Sequence, residues 1–238
     1  MRTLIHRSDT RGYAQHGWLE SYHTFSFASY YDPQRIQFGA LRVLNDDTVA
    51  AGQGFGKHPH KNMEIISIPL EGDLAHQDSM GNVKIIKEGE LQVMSAGRGI
   101  YHSEYNRHDD RPVKFLQIWV IPDKQNVAPR YDQISLNQWA VPDRFYQIVS
   151  PYKHDQGVWI HQQAWFSLAD LHAGKQARYS LKGAAHGVYL FVLEGQVNVG
   201  DETLYRRDGL GTWDVDKIMV EATKTSRLLL IEVPLSAG

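Results

Sequence analysis

Short runs of β-branched and aromatic residues, each stopped by glycine, aspartate or asparagine, recur along the chain and point to an all-β fold. Ala40-Leu41-Arg42-Val43-Leu44 ends at Asn45-Asp46-Asp47, and Glu64-Ile65-Ile66-Ser67-Ile68-Pro69-Leu70 ends at Glu71-Gly72-Asp73. Val83-Lys84-Ile85-Ile86 precedes Glu88-Gly89, and Phe115-Leu116-Gln117-Ile118-Trp119-Val120 precedes Pro122-Asp123. Strand and turn signals at this spacing belong to a β-sandwich or β-barrel. Helical periodicity is weak throughout. Ser79-Met80-Gly81-Asn82 reads as a tight turn between two strands, because Gly and Asn tolerate positive φ.

The runs fall into two halves. Three prolines (Pro122, Pro129, Pro142) and many Gln and Asn residues mark the stretch around 121–149, with a short helix expected near Ser135–Trp139. The expected division is therefore a barrel over 1–121, a linker over 122–157 and a second barrel over 158–238. Leu70-Glu71-Gly72 in the first half is echoed by Leu193-Glu194-Gly195 in the second, each after an apolar strand and before another turn. That shared context suggests a duplicated barrel.

Composition narrows the chemistry. The 238 residues contain no cysteine, so disulfides, iron–sulfur clusters and thiolate zinc sites are excluded. Any metal must be held by nitrogen and oxygen. A formal charge of −2 offers no field to attract nucleic acid. No apolar stretch approaches the roughly 20 residues of a membrane helix. Met1-Arg2-Thr3-Leu4-Ile5-His6 lacks the apolar core and small-residue cleavage site of a secretory signal, so a cytoplasmic protein is expected.

Two short motifs carry the chemistry: His58-Pro59-His60 and His102-Ser103-Glu104. Each sets two metal-competent side chains at i and i+2, which share one face of an extended strand. If both strands face one barrel interior, three imidazoles and a carboxylate converge on one divalent ion. Such donors suit Fe, Mn, Co, Ni, Cu or Zn. A six-coordinate ion would keep two positions open for substrate or oxygen, as non-haem iron oxygenases require; the donors do not choose among these metals, and Fe(II) is the one expected first. A lone strand histidine is usually structural, but two such pairs, rimmed by Gly52, Gly54, Gly56, Gly97 and Gly99, are not lone. Among the other histidines only His23 and His76 are candidate pocket residues. Aligning the two Leu-Glu-Gly triplets drops His58, His60 and Glu64 onto Leu181, Gly183 and Gly187, none of which binds metal.

A family resemblance rests on these residues. Gly52, His58-Pro59-His60, Glu64 and Gly72 resemble the first cupin motif, and Gly89, Ser95-Ala96-Gly97, His102 and Asn106 the second. The sequence departs from both: one residue too many between Glu64 and Gly72, Ser95 in place of proline, and four residues rather than two before His102. Those departures match one cupin branch, the pirin family. His23-Thr24-Phe25-Ser26-Phe27-Ala28-Ser29-Tyr30-Tyr31-Asp32-Pro33 is similar to its N-terminal signature, as are Gly52 to Glu64 and Ser95 to Glu104. The resemblance is dense over about residues 10–125 and looks strongest to bacterial pirin-like proteins with quercetin dioxygenase activity.

It implies a bicupin, two β-barrel (double-stranded β-helix) domains packed together. It also implies that Glu104, not Glu64, is the carboxylate ligand. Strand geometry agrees, since Glu64 would lie about 13 Å beyond His60 along a regular strand; Glu64 is left a supporting role behind the ligands. The expected activity is metal-dependent opening of a flavonol ring with O2, with Glu104 as the base for the substrate hydroxyl. Phe25, Phe27, Phe55, Met63, Phe115 and Trp119 are candidate walls for a flat aromatic substrate. The alternative, drawn from eukaryotic pirins, is a non-catalytic metal- or redox-sensing regulator that docks on a protein partner. A monomer is expected.

Overall fold

Twenty-two strands account for the regular structure of this computed structural model, which describes residues 1–236. The first eleven are β1 (Arg2–His6), β2 (Gly12–Gln15), β3 (Leu19–His23), β4 (Leu41–Val49), β5 (Gly54–His60), β6 (Glu64–Glu71), β7 (Leu74–Asp78), β8 (Val83–Ile86), β9 (Glu90–Ser95), β10 (Ile100–Asn106) and β11 (Val113–Val120). The remainder are β12 (Arg130–Ser135), β13 (Tyr146–Ser150), β14 (Val158–Trp159), β15 (Trp165–Leu171), β16 (Gln176–Ser180), β17 (His186–Glu194), β18 (Gln196–Val199), β19 (Glu202–Tyr205), β20 (Gly209–Trp213), β21 (Lys217–Ala222) and β22 (Ser226–Pro234). Among the described residues there is no α-helix, only a single 3-10 turn at Ser8–Thr10, and no helix long and apolar enough to cross a membrane.

The strands build the same barrel twice. In the first, a seven-stranded sheet (β12-β9-β6-β11-β4-β3-β2) packs on a four-stranded one (β5-β10-β7-β8). In the second, β1-β20-β17-β22-β15-β13-β14 packs on β16-β21-β18-β19. The two Leu-Glu-Gly triplets are equivalent turns: Gly72 (φ 77°) follows β6 and Gly195 (φ 90°) follows β17, a backbone conformation that glycine adopts at no steric cost.

The barrels exchange edge strands. β1 pairs with β20 of the second barrel, Arg2 opposite Trp213, and β12 pairs with β9 of the first, Arg130 opposite Ser95. The stretch 122–157 thus supplies β12 to one sheet and β13 to the other. The short helix expected near Ser135–Trp139 is instead the end of β12 followed by a turn. Pairing runs on to Ser135 opposite Glu90, and the few residues left before Pro142 make one turn, closed by the Trp139 amide donating to Leu136 O at 3.2 Å.

A core shared between the two seven-stranded sheets explains why the central strands look apolar on both faces. On β11, Leu116, Ile118 and Val120 point into that shared core with Phe166, Leu229 and Ile231 from the other barrel. The alternate residues Phe115, Gln117 and Trp119 point into the first barrel. On β22, Leu228 and Leu230 fill the second barrel's interior, a continuous apolar cluster with Ile218 and Val220.

Candidate metal centre

Strand register brings the two motifs together. β5 and β10 pair antiparallel with His102 opposite His58 and Ile100 opposite His60. A bulge follows: Glu104 lies opposite Phe55, so β5 carries one extra residue between Phe55 and His58. Strict alternation would send side chains three apart to opposite faces; the bulge lets Phe55 and His58 reach the same cavity. Close approach of the two strands needs Gly54, where a Cβ would lie 2.3 Å from the Glu104 carbonyl oxygen.

The imidazoles of His58, His60 and His102 converge, with ligand atoms within 4.8 Å of one another. The Nε2 atoms of His58 and His102 are 3.0 Å apart. His58 Nδ1 donates to Gly56 O at 2.7 Å, which leaves its Nε2 lone pair free for an ion. Burial first, then the neighbouring histidines, lowers His60 and His102 to about 3, so both rings are neutral near pH 7 and offer lone pairs.

Glu104 lies 1% exposed at the base of the cluster. Its Oε1 accepts from Ser67 Oγ and Gln92 Nε2, each at 2.8 Å, and its Oε2 from Gln117 Nε2 at 2.6 Å. Three neutral donors hold the carboxylate in one orientation while leaving acceptor capacity for a cation. Glu104 groups within 4.8 Å with His102 and His76, rather than with His58 and His60. His76 stands behind His102, its Nε2 3.1 Å from Asp78 Oδ2, and does not line the main cavity.

That cavity has a volume of about 500 Å³ and opens onto His58, His60 and Glu104. Of the expected aromatic walls, Phe27, Phe55 and Trp119 line it, as does His23. Phe25, Met63 and Phe115 do not. Phe25 packs edge-on to His6 and against Tyr189 between the barrels; Phe115 belongs to the apolar plug of Leu19, Val49, Leu74 and Ile86; Met63 packs with Ile65, Met94 and Trp119. Aromatic character did not distinguish wall from core, because the barrel needs both.

The polar residues Ser21, His23, Asn45, Asp47 and Gln117 also line the cavity, and of these only His23 was expected. Register explains them. His23, Asn45, Gln117, Ser67 and Gln92 stand opposite one another across β3, β4, β11, β6 and β9, forming one polar row through the barrel interior. In sequence Ser67, Gln92 and Gln117 are polar residues with an apolar neighbour on each side, which was the available signal, whereas His23 and Asn45 lie in polar stretches that gave no such signal. The second barrel has no such row. Matching the Leu-Glu-Gly turns puts Ile218 and Val220 in place of His102 and Glu104, with Tyr179, opposite Ile218, in place of His58. The register differs by two residues from the expected Leu181 and Gly183, because the connection over 181–185 is two residues longer than that over 61–63.

Glu64 serves elsewhere. It accepts from Ser95 Oγ at 2.7 Å and lies beside Arg130 and the His161 amide, where burial raises its carboxyl to about 7. Between its unfolded range near 4.5 and about 7 the folded chain therefore holds a proton that the unfolded chain has lost. This group's contribution to stability declines as pH rises through that window. Glu64→Gln is expected to keep its metal and to gain roughly 1–3 kcal/mol over wild type between pH 5 and pH 8, read from denaturant midpoints. A variant that loses its ion would instead make Glu64 a ligand.

Comparison with known proteins agrees with this architecture. The Pirin family model matches residues 6–120, and the model described as the quercetinase C-terminal cupin domain matches residues 147–233. The chain is 42% identical to quercetin 2,3-dioxygenase of Escherichia coli K12, over 97% of this chain and 98% of that one. It is 39% identical to a pirin-like protein of Caulobacter vibrioides, over 94% and 96%. The crystal structure of bacterial pirin YhhW from E. coli in complex with nickel(II) superposes with a TM-score of 0.93 at 40% identity, covering 98% of this chain and 99% of that one. With two barrels, a histidine cluster in the first and full-length similarity of this order, the chain belongs to the pirin family of bicupins.

Proposed function

We propose that this protein is a metal-dependent dioxygenase that opens the ring of a quercetin-like flavonol with O2. The observation that carries this reading is the meeting of three imidazoles, those of His60 and His102 held neutral by burial, with a cavity large enough for a flat aromatic molecule. His58, His60, His102 and Glu104 would hold one divalent ion. The proposed resident ion is Fe(II), and the same nitrogen and oxygen donors suit nickel(II), the ion bound by the E. coli relative. When bound, the ion supplies Lewis acidity toward a phenolic oxygen.

The chain's own residues do the rest. Trp119 and Phe55 flank the metal cluster and exclude water from the reacting ring, with Trp119 edge-on to His60 at 4.9 Å. Glu104 is the proposed acceptor of the substrate's hydroxyl proton, and the Gln117 amide on its Oε2 keeps the carboxylate aimed. The first barrel carries this chemistry; the second, its interior filled with apolar side chains, supports it. The working compartment is proposed to be the cytoplasm. Metal-loaded protein should bleach the flavonol absorbance under air, and metal-free protein should not; equal bleaching by both would refute the proposal.

A further inference from the structure

One wall of the cavity carries polar atoms that the metal cluster does not use. Asn45 is 2% exposed and its Oδ1 has no hydrogen-bond partner; His23, equally buried, has none at Nδ1. Both line the cavity, and they end the polar row whose other members hold Glu104. One residue pair along the strands, Ser21 stands opposite Asp47, and the Ser21 hydroxyl donates to Asp47 Oδ1. Among the described residues the Ser21 hydroxyl is the one side-chain donor to the Asp47 carboxyl, whose other oxygen is open to the cavity. Buried acceptors without donors are costly, and such groups are normally satisfied. Here Asn45 Oδ1 and an Asp47 oxygen are open acceptors on the cavity wall.

We propose that Asp47 and Asn45, on the sheet that faces the histidine strands, form a recognition site for phenolic hydroxyls other than the one that meets the metal, selecting polyhydroxylated over plain aromatic ligands. The inference rests on the flavonol reading and specifies it further. The Asp47 carboxylate and the Asn45 carbonyl oxygen favour donors, and phenolic O–H groups are the donors that a flat aromatic molecule can present to them. Asp47 lies about 7 Å further along β4 than Asn45, so the two acceptors are spaced to meet hydroxyls on different ring positions. A site built around buried acceptors also rejects the ligand that lacks the hydroxyl, because its own groups are then left unpaired.

The test crosses a change in the protein with a change in the ligand. Binding of quercetin and of 3-hydroxyflavone, which has the same ring system without the other hydroxyls, would be measured anaerobically by fluorescence quenching of the metal-loaded protein. The measurement belongs at pH 8, above the value of about 7 to which burial raises the Asp47 carboxyl. Asp47→Asn is close to isosteric and turns one acceptor into a donor; Asn45→Ala removes the second acceptor. Each is expected to weaken quercetin binding about tenfold to a hundredfold, with 3-hydroxyflavone binding and metal content unchanged. Equal weakening of both ligands, or no weakening of either, would overturn the proposal while leaving the flavonol reading intact. Wild-type protein that binds neither flavonol would sink that reading and the proposal together.

Discussion

Replacing His102 with alanine is expected to strip the chain of its metal and of flavonol turnover while leaving the fold standing. His102 is the hinge of the cluster: its Nε2 is 3.0 Å from that of His58, and it belongs both to the three-histidine group and to the group with Glu104. Losing a supporting partner of a metal ligand costs 10–100-fold in affinity, so losing the ligand itself should cost more than about 100-fold. The fold has little reason to follow. The shared core between the sheets and the apolar interior of the second barrel do not include His102. Metal analysis after dialysis and a thermal melt would be read together. Full metal content in the folded variant would remove His102 from the ligand set.

Glu104→Ala is expected to be the more damaging change, because it strikes chemistry and stability at once. The carboxylate satisfies Ser67 Oγ, Gln92 Nε2 and Gln117 Nε2, all buried inside the barrel. Ser67 Oγ and Gln92 Nε2 keep second acceptors in Gln117 Oε1 at 3.0 Å and Ser67 Oγ at 2.9 Å, whereas Gln117 Nε2 would be stranded. A buried donor left unpaired costs about 1–3 kcal/mol, so a loss of up to about 3 kcal/mol is expected. For a chain of this size that corresponds to roughly 6–12 °C in Tm. Turnover should fall at least about a hundredfold if Glu104 accepts the substrate proton. Unchanged stability would mean that the three donors are held by one another, and unchanged turnover would move the base elsewhere.

The meeting of His58, His60 and His102 was legible in the sequence because its geometry is local. Two pairs at i and i+2 can do little on a strand except share a face, and antiparallel pairing of β5 with β10 brought the faces together. The duplication was legible from one echoed turn, since Gly72 and Gly195 occupy the same left-handed conformation in equivalent places. The cavity wall was not legible to the same degree. Its polar row draws one residue from each of five strands, and their alignment depends on register across β3, β4, β11, β6 and β9. The bulge that turns Phe55 inward is likewise a property of pairing. Phe25, Met63 and Phe115 show the converse: large apolar residues near the motifs, claimed by the core once the sheets close.

The most direct test of the central claim is oxygen consumption by the protein reconstituted with Fe(II), Ni(II), Mn(II), Co(II), Cu(II) or Zn(II) in turn, with quercetin present. The expected result is uptake of one O2 per flavonol consumed, dependent on the ion and absent in Glu104→Ala. Retention of one tightly bound ion per chain, with no oxygen uptake and intact flavonol for every metal, would contradict it and make the centre a binding site without turnover.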